Sequence, residues 1–217
     1  MKICERFNRV GFDDRRQHRL GIFGGTFDPI HIGHLAAGEH VRESLGIEAI
    51  VFMPAGEPVF KRDRAVTPGI QRLEMCRLAV AGNPHFDVSS LEIDRGGDTY
   101  TIDTLREVRA HYPDNVKLFF ITGADAIMGI GKWRSAAELG ELAQFVALTR
   151  PGYDIDPATR SDIERATHLG VEYQPIPGFS VSSSMIRRNV TQGRSIRYLV
   201  SDEVREYIRQ NGLYRTQ

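Results

Sequence analysis

From residue 19 onward, apolar residues fall in short blocks separated by amphipathic stretches. "RLGIFGG" (19–25), "AIVFMPA" (49–55), "FDVSSLEID" (86–94), "KLFFITGAD" (117–125), "FVALT" (145–149) and "VEYQPI" (171–176) have the length and apolar density of buried strands. The segments between them carry a helical period. In "HLAAGEHVRESLG" (34–46), Leu35, Gly38, Val41 and Leu45 fall on one side, and Gly46 is placed to cap the C-terminus. "TPGIQRLEMCRLAVAG" (67–82) predicts a helix with Thr67 as N-cap and Pro68 at its first position. Further helices are predicted over 101–112, from Ser135 with Glu138 at capping-box spacing, from Asp156-Pro157, and over "SSSMIRRNV" and "SDEVREYIRQNG". Strand–helix alternation of this kind predicts an α/β fold with a mostly parallel sheet. In open sheets of that type, ligands bind outside the carboxyl ends of the strands. Attention therefore goes to Gly24–Gly25, Met53–Lys61, Gly123–Asp125, Thr149–Arg150 and Pro177–Ser184.

Residues 1–19 are polar and aperiodic until Leu20, and read as a loosely ordered extension ahead of one domain, 20–217. They lack the apolar stretch of a signal peptide, and no run in the chain approaches the ~20 apolar residues of a membrane span. With 41% apolar and 26% charged residues, the 217-residue chain can bury a full core. Lys+Arg and Asp+Glu number 28 each, so the formal net charge is zero, which argues against nucleic-acid and membrane partners. Cys4 and Cys76 form neither a disulfide framework nor a C-x-x-C motif, and a reduced, cytoplasmic compartment is the simpler reading. Homo-oligomerisation stays open.

The densest chemistry lies in "GIFGGTFDPIHIGHLAAGEH" (21–40). Gly24 and Gly25 end a strand where a backbone free of Cβ atoms lets a ligand approach. Asp28-Pro29 makes a turn, and a helix N-terminus follows, whose N–H groups suit an anion. The stretch has neither the phosphate-loop nor the dinucleotide-binding glycine pattern. His31 and His34, three apart, can face the same way. Zinc would need a further ligand, and His40 falls off that face, so no metal site is assigned. A plain turn with capping histidines and a pair of imidazole donors at a phosphate both remain open on spacing alone. "SVSSSMIRR" (180–188) offers hydroxyls, a helix start and the Arg187 fork, again either a simple N-cap or a phosphate site.

"GGTFDPIHIGH" (24–34) resembles the G-G-x-F-D-P-x-H-x-G-H signature of the nucleotidyltransferase superfamily, and "SVSSSMIRR" resembles its I-S-S-T-x-I-R motif, with Val181 for Ile and Ser184 for Thr. The resemblance implies a Rossmann-like, doubly wound sheet with helices on both faces. "GDTYTIDTL" (97–105), "FITGAD" (120–125), "KWRSAAEL" (132–139) and "TRPGY" (149–153) extend it to the bacterial nicotinate-nucleotide adenylyltransferases, from about Leu20 to Tyr214. That family joins nicotinic acid mononucleotide to ATP, giving deamido-NAD and pyrophosphate in NAD biosynthesis, by direct attack of the mononucleotide phosphate on the α-phosphorus. The resemblance implies ATP contacts at Gly24, Gly25, Thr26, Phe27, His31, His34, Gly123, Asp125, Ser182, Ser183 and Arg187, with His31, His34 and Arg187 catalytic. It implies mononucleotide contacts at Lys61, Thr99, Tyr100, Thr101, Asp125, Trp133 and Arg150, with Trp133 stacked on the pyridine ring. Mg²⁺ would be held mainly by the ATP phosphates. One departure stands out: in "PAGEPVFK" (54–61), Val59-Phe60 replace the usual Pro-His, as in the actinobacterial branch. A related adenylyl- or cytidylyltransferase acting on nicotinamide mononucleotide, pantetheine phosphate or FMN is the alternative, followed by a non-catalytic nucleotide-binding regulator. A tRNA-synthetase fragment is disfavoured because no K-M-S-K-S stretch accompanies His-Ile-Gly-His.

Overall fold

The computed structural model describes residues 2–58, 66–150, 152, 155–178 and 180–215. Its strands are β1 (His18–Gly25), β2 (Ala49–Pro54), β3 (Glu57–Pro58), β4 (Phe86–Val88), β5 (Asp98–Thr99), β6 (Val116–Gly123), β7 (Gln144–Thr149) and β8 (Val171–Pro175). The helices are α1 (Ile32–Ser44), α2 (Gly69–Val80), α3 (Leu91–Arg95), α4 (Thr101–His111), α5 (Ala124–Ile127), α6 (Leu139–Leu142), α7 (Pro157–Thr167), α8 (Ser183–Thr191) and α9 (Asp202–Gln210). Six strands form one sheet in the order β4-β2-β1-β6-β7-β8, and every pair in it is parallel. The order reverses between β1 and β6, which leaves a crevice at their carboxyl ends. β3 and β5 pair separately, Glu57 with Asp98 and Pro58 with Thr99.

Alternate residues of each central strand feed opposite faces, as the two-residue strand period requires. Phe23, Phe52 and Phe119 pack with α1, α2, α8 and α9 on one face. Ile22, Val51 and Phe120 pack with α4, α5, α6 and α7 on the other. This is the doubly wound architecture expected from the sequence. Among the described residues, no helix is long and apolar enough to cross a membrane.

Several local expectations are corrected. The apolar block 86–94 is a strand only through Val88. Ser89 Oγ then accepts the Leu91 N–H and Ser90 O accepts the Asp94 N–H, turning the chain into α3. Thr67 does not cap α2: Pro68 takes the cap position, and the Thr67 N–H is drawn to Asp28 Oδ2 at 3.4 Å. Ser135 stands at φ 51°, in the left-handed region, and starts a short 3-10 turn without a side-chain cap, while Glu138 pairs with Arg106. α1 begins at Ile32, two residues early, because the His31 N–H finds His34 Nδ1. Asp156 does cap α7, accepting the Thr159 N–H at 3.0 Å.

The N-terminal segment also differs from a loose extension. Ile3 and Cys4 are buried against the α4 face of the sheet. The Arg6 N–H donates to Asp87 Oδ2 at 2.6 Å, and Asn115 Nδ2 donates to the carbonyls of Gly11, Asp14 and Arg16. Tyr112 Oη donates to Phe7 O at 3.1 Å. Ile3→Ala should therefore cost about 2–5 kcal/mol in urea unfolding, the range for a fully buried Ile. A change near zero would return the segment to a loose extension.

Candidate active site

β1 ends in Gly24-Gly25 at the reversal point of the sheet, and both positions require glycine. A Cβ on Gly24 would lie 2.7 Å from Phe120 Cζ, and one on Gly25 would lie 2.8 Å from Phe27 Cζ. The turn therefore packs against aromatic rings on its inner side and presents bare backbone outward. Phe27, at φ 48°, stands edge-on to Phe23 and His34 and props the His34 ring from behind.

A cleft of about 720 Å³ opens above this turn. Gly24 to Asp28, His31 and His34 line one side of it. Gly123, Asp125 and Arg150 come from the ends of β6 and β7, and Ser182 to Ser184 from the start of α8. Sequence positions more than 150 residues apart thus share one surface. His31 and His34 stack, with ring centroids 3.6 Å apart and planes 17° from parallel. His31 is buried, and its Nδ1 has no hydrogen-bond partner among the described residues. His40 lies elsewhere, within hydrogen-bond reach of Ser44 and Gln174.

Ser182 caps α8 by accepting the Met185 N–H at 3.2 Å, and Ser183 Oγ donates to Pro29 O at 2.9 Å. The hydroxyls therefore fix the helix start against the histidine turn. The helix's first N–H groups, lacking intrahelical partners, remain as anion donors at the cleft. Arg187 is not on the lining. Its Nη1 donates to Asp28 O at 2.6 Å and its Nη2 to Ser184 Oγ at 3.1 Å.

A second, narrower pocket of about 230 Å³ lies behind the same turn. Gly24, Gly25, Thr26 and Thr122 line both spaces. The narrow pocket adds Glu92, Thr99, Tyr100, Thr101, Trp133 and Arg134. Trp133 is half-buried, edge-on to Phe120 and Phe145. Tyr100 precedes α4, with the Arg134 guanidinium 5.1 Å from its ring centre. Thr99 Oγ1 is buried without a hydrogen-bond partner among the described residues. Lys61 and the Val59-Phe60 pair lie outside the described residues.

The cytidylyltransferase-like family model matches residues 22–189. A Mycolicibacterium vanbaalenii protein named "Probable nicotinate-nucleotide adenylyltransferase" is 46% identical over 94% of this chain and 95% of its own length. A protein of the same name from Clavibacter michiganensis subsp. michiganensis is 47% identical over 91% of this chain and 94% of its own. The chain belongs to the nicotinate-nucleotide adenylyltransferase family, within the cytidylyltransferase-like group. The fold agrees: Plasmodium falciparum nicotinic acid mononucleotide adenylyltransferase, in a complex with NaAD, superposes with a TM-score of 0.72 at 21% identity, over 91% of this chain and 98% of that one.

The sequence candidates His31, His34, Asp125, Arg150, Ser182 and Ser183 line the cleft of this adenylyltransferase-family chain, and Thr99–Thr101 and Trp133 line the narrow pocket; four further residues, not among the candidates, shape the two. Thr122 lines both pockets. Glu92 is buried at the narrow one, and burial raises its carboxyl to about 7 despite the Thr104 hydroxyl bonded to it. Tyr214 Oη donates to Asp28 Oδ1 at 2.7 Å. Arg72, 1% exposed, donates to Thr26 O. Thr122 stands inside "FITGAD", where Gly123 and Asp125 drew the attention, and the other three carry no local signal.

Burial, with the Arg150 charge adding to it, lowers His31 from 6.5 to about 4. Without ligand the ring is therefore neutral at pH 7. Because the folded value lies below the unfolded one, the unfolded chain binds more protons between those values. The stability from neutral burial is complete above about pH 6.5 and is lost as pH falls toward about 4. Between pH 7 and 5, His31→Gln should lose about 2 kcal/mol less unfolding free energy than the unaltered chain. Equal losses in urea titrations would contradict a neutral, buried His31.

Proposed function

We propose that this chain transfers the adenylyl group of ATP to nicotinic acid mononucleotide, giving deamido-NAD and pyrophosphate in NAD biosynthesis. The observation that carries this reading is the pair of pockets sharing the Gly24–Thr26 wall. The larger cleft, with two imidazoles, Arg150 and the α8 N-terminus, suits a triphosphate. The narrower one, with the Trp133 face and a Thr99 hydroxyl unpaired among the described residues, suits a flat pyridine acid. Reactants held on either side of one wall meet at its rim, which is the positioning that a direct displacement needs. The names of the relatives at 46% and 47% identity support the same substrates.

A phosphate oxygen of the mononucleotide attacks the α-phosphorus, the bond to the β-phosphate bridging oxygen breaks, and pyrophosphate leaves. The attacking oxygen is already anionic, so no protein nucleophile is required. His31 and His34 donate N–H bonds to the phosphoryl oxygens as charge spreads in the transition state. A neutral imidazole donates from one nitrogen, and a phosphate beside His31 favours the protonated ring, opposing the burial that depresses it. Ser182, Ser183 and the start of α8 hold the leaving phosphates, and Arg187 keeps Asp28 and Ser184 in register behind them. Asp125, on the cleft lining, would accept from a ribose hydroxyl.

Mg²⁺ fits as an ion carried by the nucleotide. Among the described residues, the carboxylates on the cleft are Asp28 and Asp125, and Asp28 already accepts from Tyr214 and Thr67. Among the described residues, no three His, Cys, Asp or Glu side chains converge as a metal site. Phosphate and water oxygens would supply its remaining ligands, and the ion would neutralise charge on the departing pyrophosphate.

Pyrophosphate release from ATP should be faster with nicotinic acid mononucleotide than with nicotinamide mononucleotide, and His34→Ala should slow it at least about tenfold at saturating substrates. Preference for the amide would reassign the acceptor, and unchanged turnover in His34→Ala would remove that ring from the chemistry.

A further inference from the structure

Arg72 lies on neither pocket lining, yet it holds the walls of both. It sits on α2 and is the largest fully buried side chain of the described residues. Its Nε donates to Thr67 O, its Nη1 to Thr26 O and its Nη2 to Gly56 O, each at 2.8 Å. The three carbonyls belong to three separate stretches: the turn after β1, the loop after β2 and the entry to α2. Each then leads to a pocket. Thr26 lines both. Gly56 packs against Glu92, whose backbone O stands where a Cβ on Gly56 would go, and Glu92 lines the narrow pocket and accepts from Thr104 Oγ1 at 2.8 Å. The Thr67 N–H reaches Asp28, which lines the cleft. Hydrogen bonds from Arg72 thus tie Gly56, packed beside Glu92, to Thr26 and, through Thr67, to Asp28.

The chemistry of the fork suits this role. A planar guanidinium presents its donors in fixed directions, whereas a lysine ammonium is a single point at the end of a flexible stem. Burying a cation is costly, and an apolar side chain would fill the same volume at less expense. Asp28 and Glu92, one on each pocket, both favour the Arg72 charge from nearby.

We propose that Arg72 is a positioning residue that makes the two pockets one mechanical unit, so that a displacement of Gly56 on the pyridine side alters nucleotide binding in the cleft. The inference rests on the reading of the cleft as an ATP site. Gly56 offers a means of testing it, because it lines neither pocket. A Cβ there would lie 2.5 Å from Glu92 O and 2.7 Å from Thr99 Oγ1, so Gly56→Ala must shift the strand end that Arg72 holds.

The experiment is a double-mutant cycle on the full chain, with the dissociation constant of ATP measured by calorimetry and folding checked by cooperative melting. Gly56→Ala and Arg72→Lys should each weaken ATP at least about threefold, and the double variant should be no weaker than Arg72→Lys alone. Additive losses, or an ATP constant unchanged in Gly56→Ala, would overturn the proposal. If Arg72→Lys does not melt cooperatively, Gly56→Ala decides alone by the same criterion. In addition, Arg72→Lys should raise KM for ATP and for the acceptor together, whereas Trp133→Phe should raise only the acceptor's. The cycle reads ATP binding without the acceptor, so a chain that binds ATP but releases no pyrophosphate with nicotinic acid mononucleotide would overturn the transfer reading separately. Absence of ATP binding by the unaltered chain would overturn both.

Discussion

Parallel pairing of β1 along both of its edges is the constraint on which the rest of the molecule depends. β2 lies on one side and β6 on the other, and the chain leaves the sheet in opposite directions from the two partners. A crevice then opens at the carboxyl ends of β1 and β6 with no special machinery. The first residues to reach that crevice are Gly24 and Gly25, and the aromatic packing beneath them leaves no room for a Cβ. Bare backbone at a crevice, followed by a helix start carrying two histidines, gives a surface built for an anion. The same turn, seen from behind, is the wall of the narrower pocket.

Charge in this region is held by buried groups, and their costs define what they do. His31 is kept neutral by burial until a ligand brings negative charge to it. Arg72 stays charged under burial with three carbonyls as acceptors, the Asp28 carboxylate nearby and the Glu92 carboxyl behind it. Asp28 is shared among Tyr214, Thr67 and Arg187, so the turn between Gly25 and His31 is fixed from three directions. Preorganised donors do more for a developing charge than donors that must reorient, and this network supplies the rigidity.

Much of this was legible in the sequence. The strand blocks at 19–25, 49–55, 117–125 and 145–149 are apolar on both faces, as buried parallel strands are, and they fold as such. The glycine pair, His31, His34 and the serines of α8 stand in local motifs, and the fold brings them together. What was not legible arises between distant residues. Arg72 reads as a polar position on a helix, and Tyr214 as a residue near the chain end; only folding places them at Thr26 and Asp28. The order of the N-terminal segment is hidden in the sequence for a related reason. That order comes from the burial of Ile3 and Cys4 and from side chains of Asp87, His111 and Asn115 bonding its backbone, and two apolar residues set no hydrophobic period to detect. At 86–94 the apolar character is real, but the serine pair ends the strand after Val88, and pattern alone does not weigh hydroxyl–backbone bonds.

In the proposed reaction the two reactants occupy opposite sides of the Gly24–Thr26 wall. A crystal structure of the chain with deamido-NAD tests it most directly, because one molecule carries both halves. The adenosine half should lie in the cleft with the histidines and the pyridine ring against Trp133, the phosphates crossing the rim between them. Both halves lying in the larger cleft, with no ligand density beside Trp133 and Thr99, would contradict it.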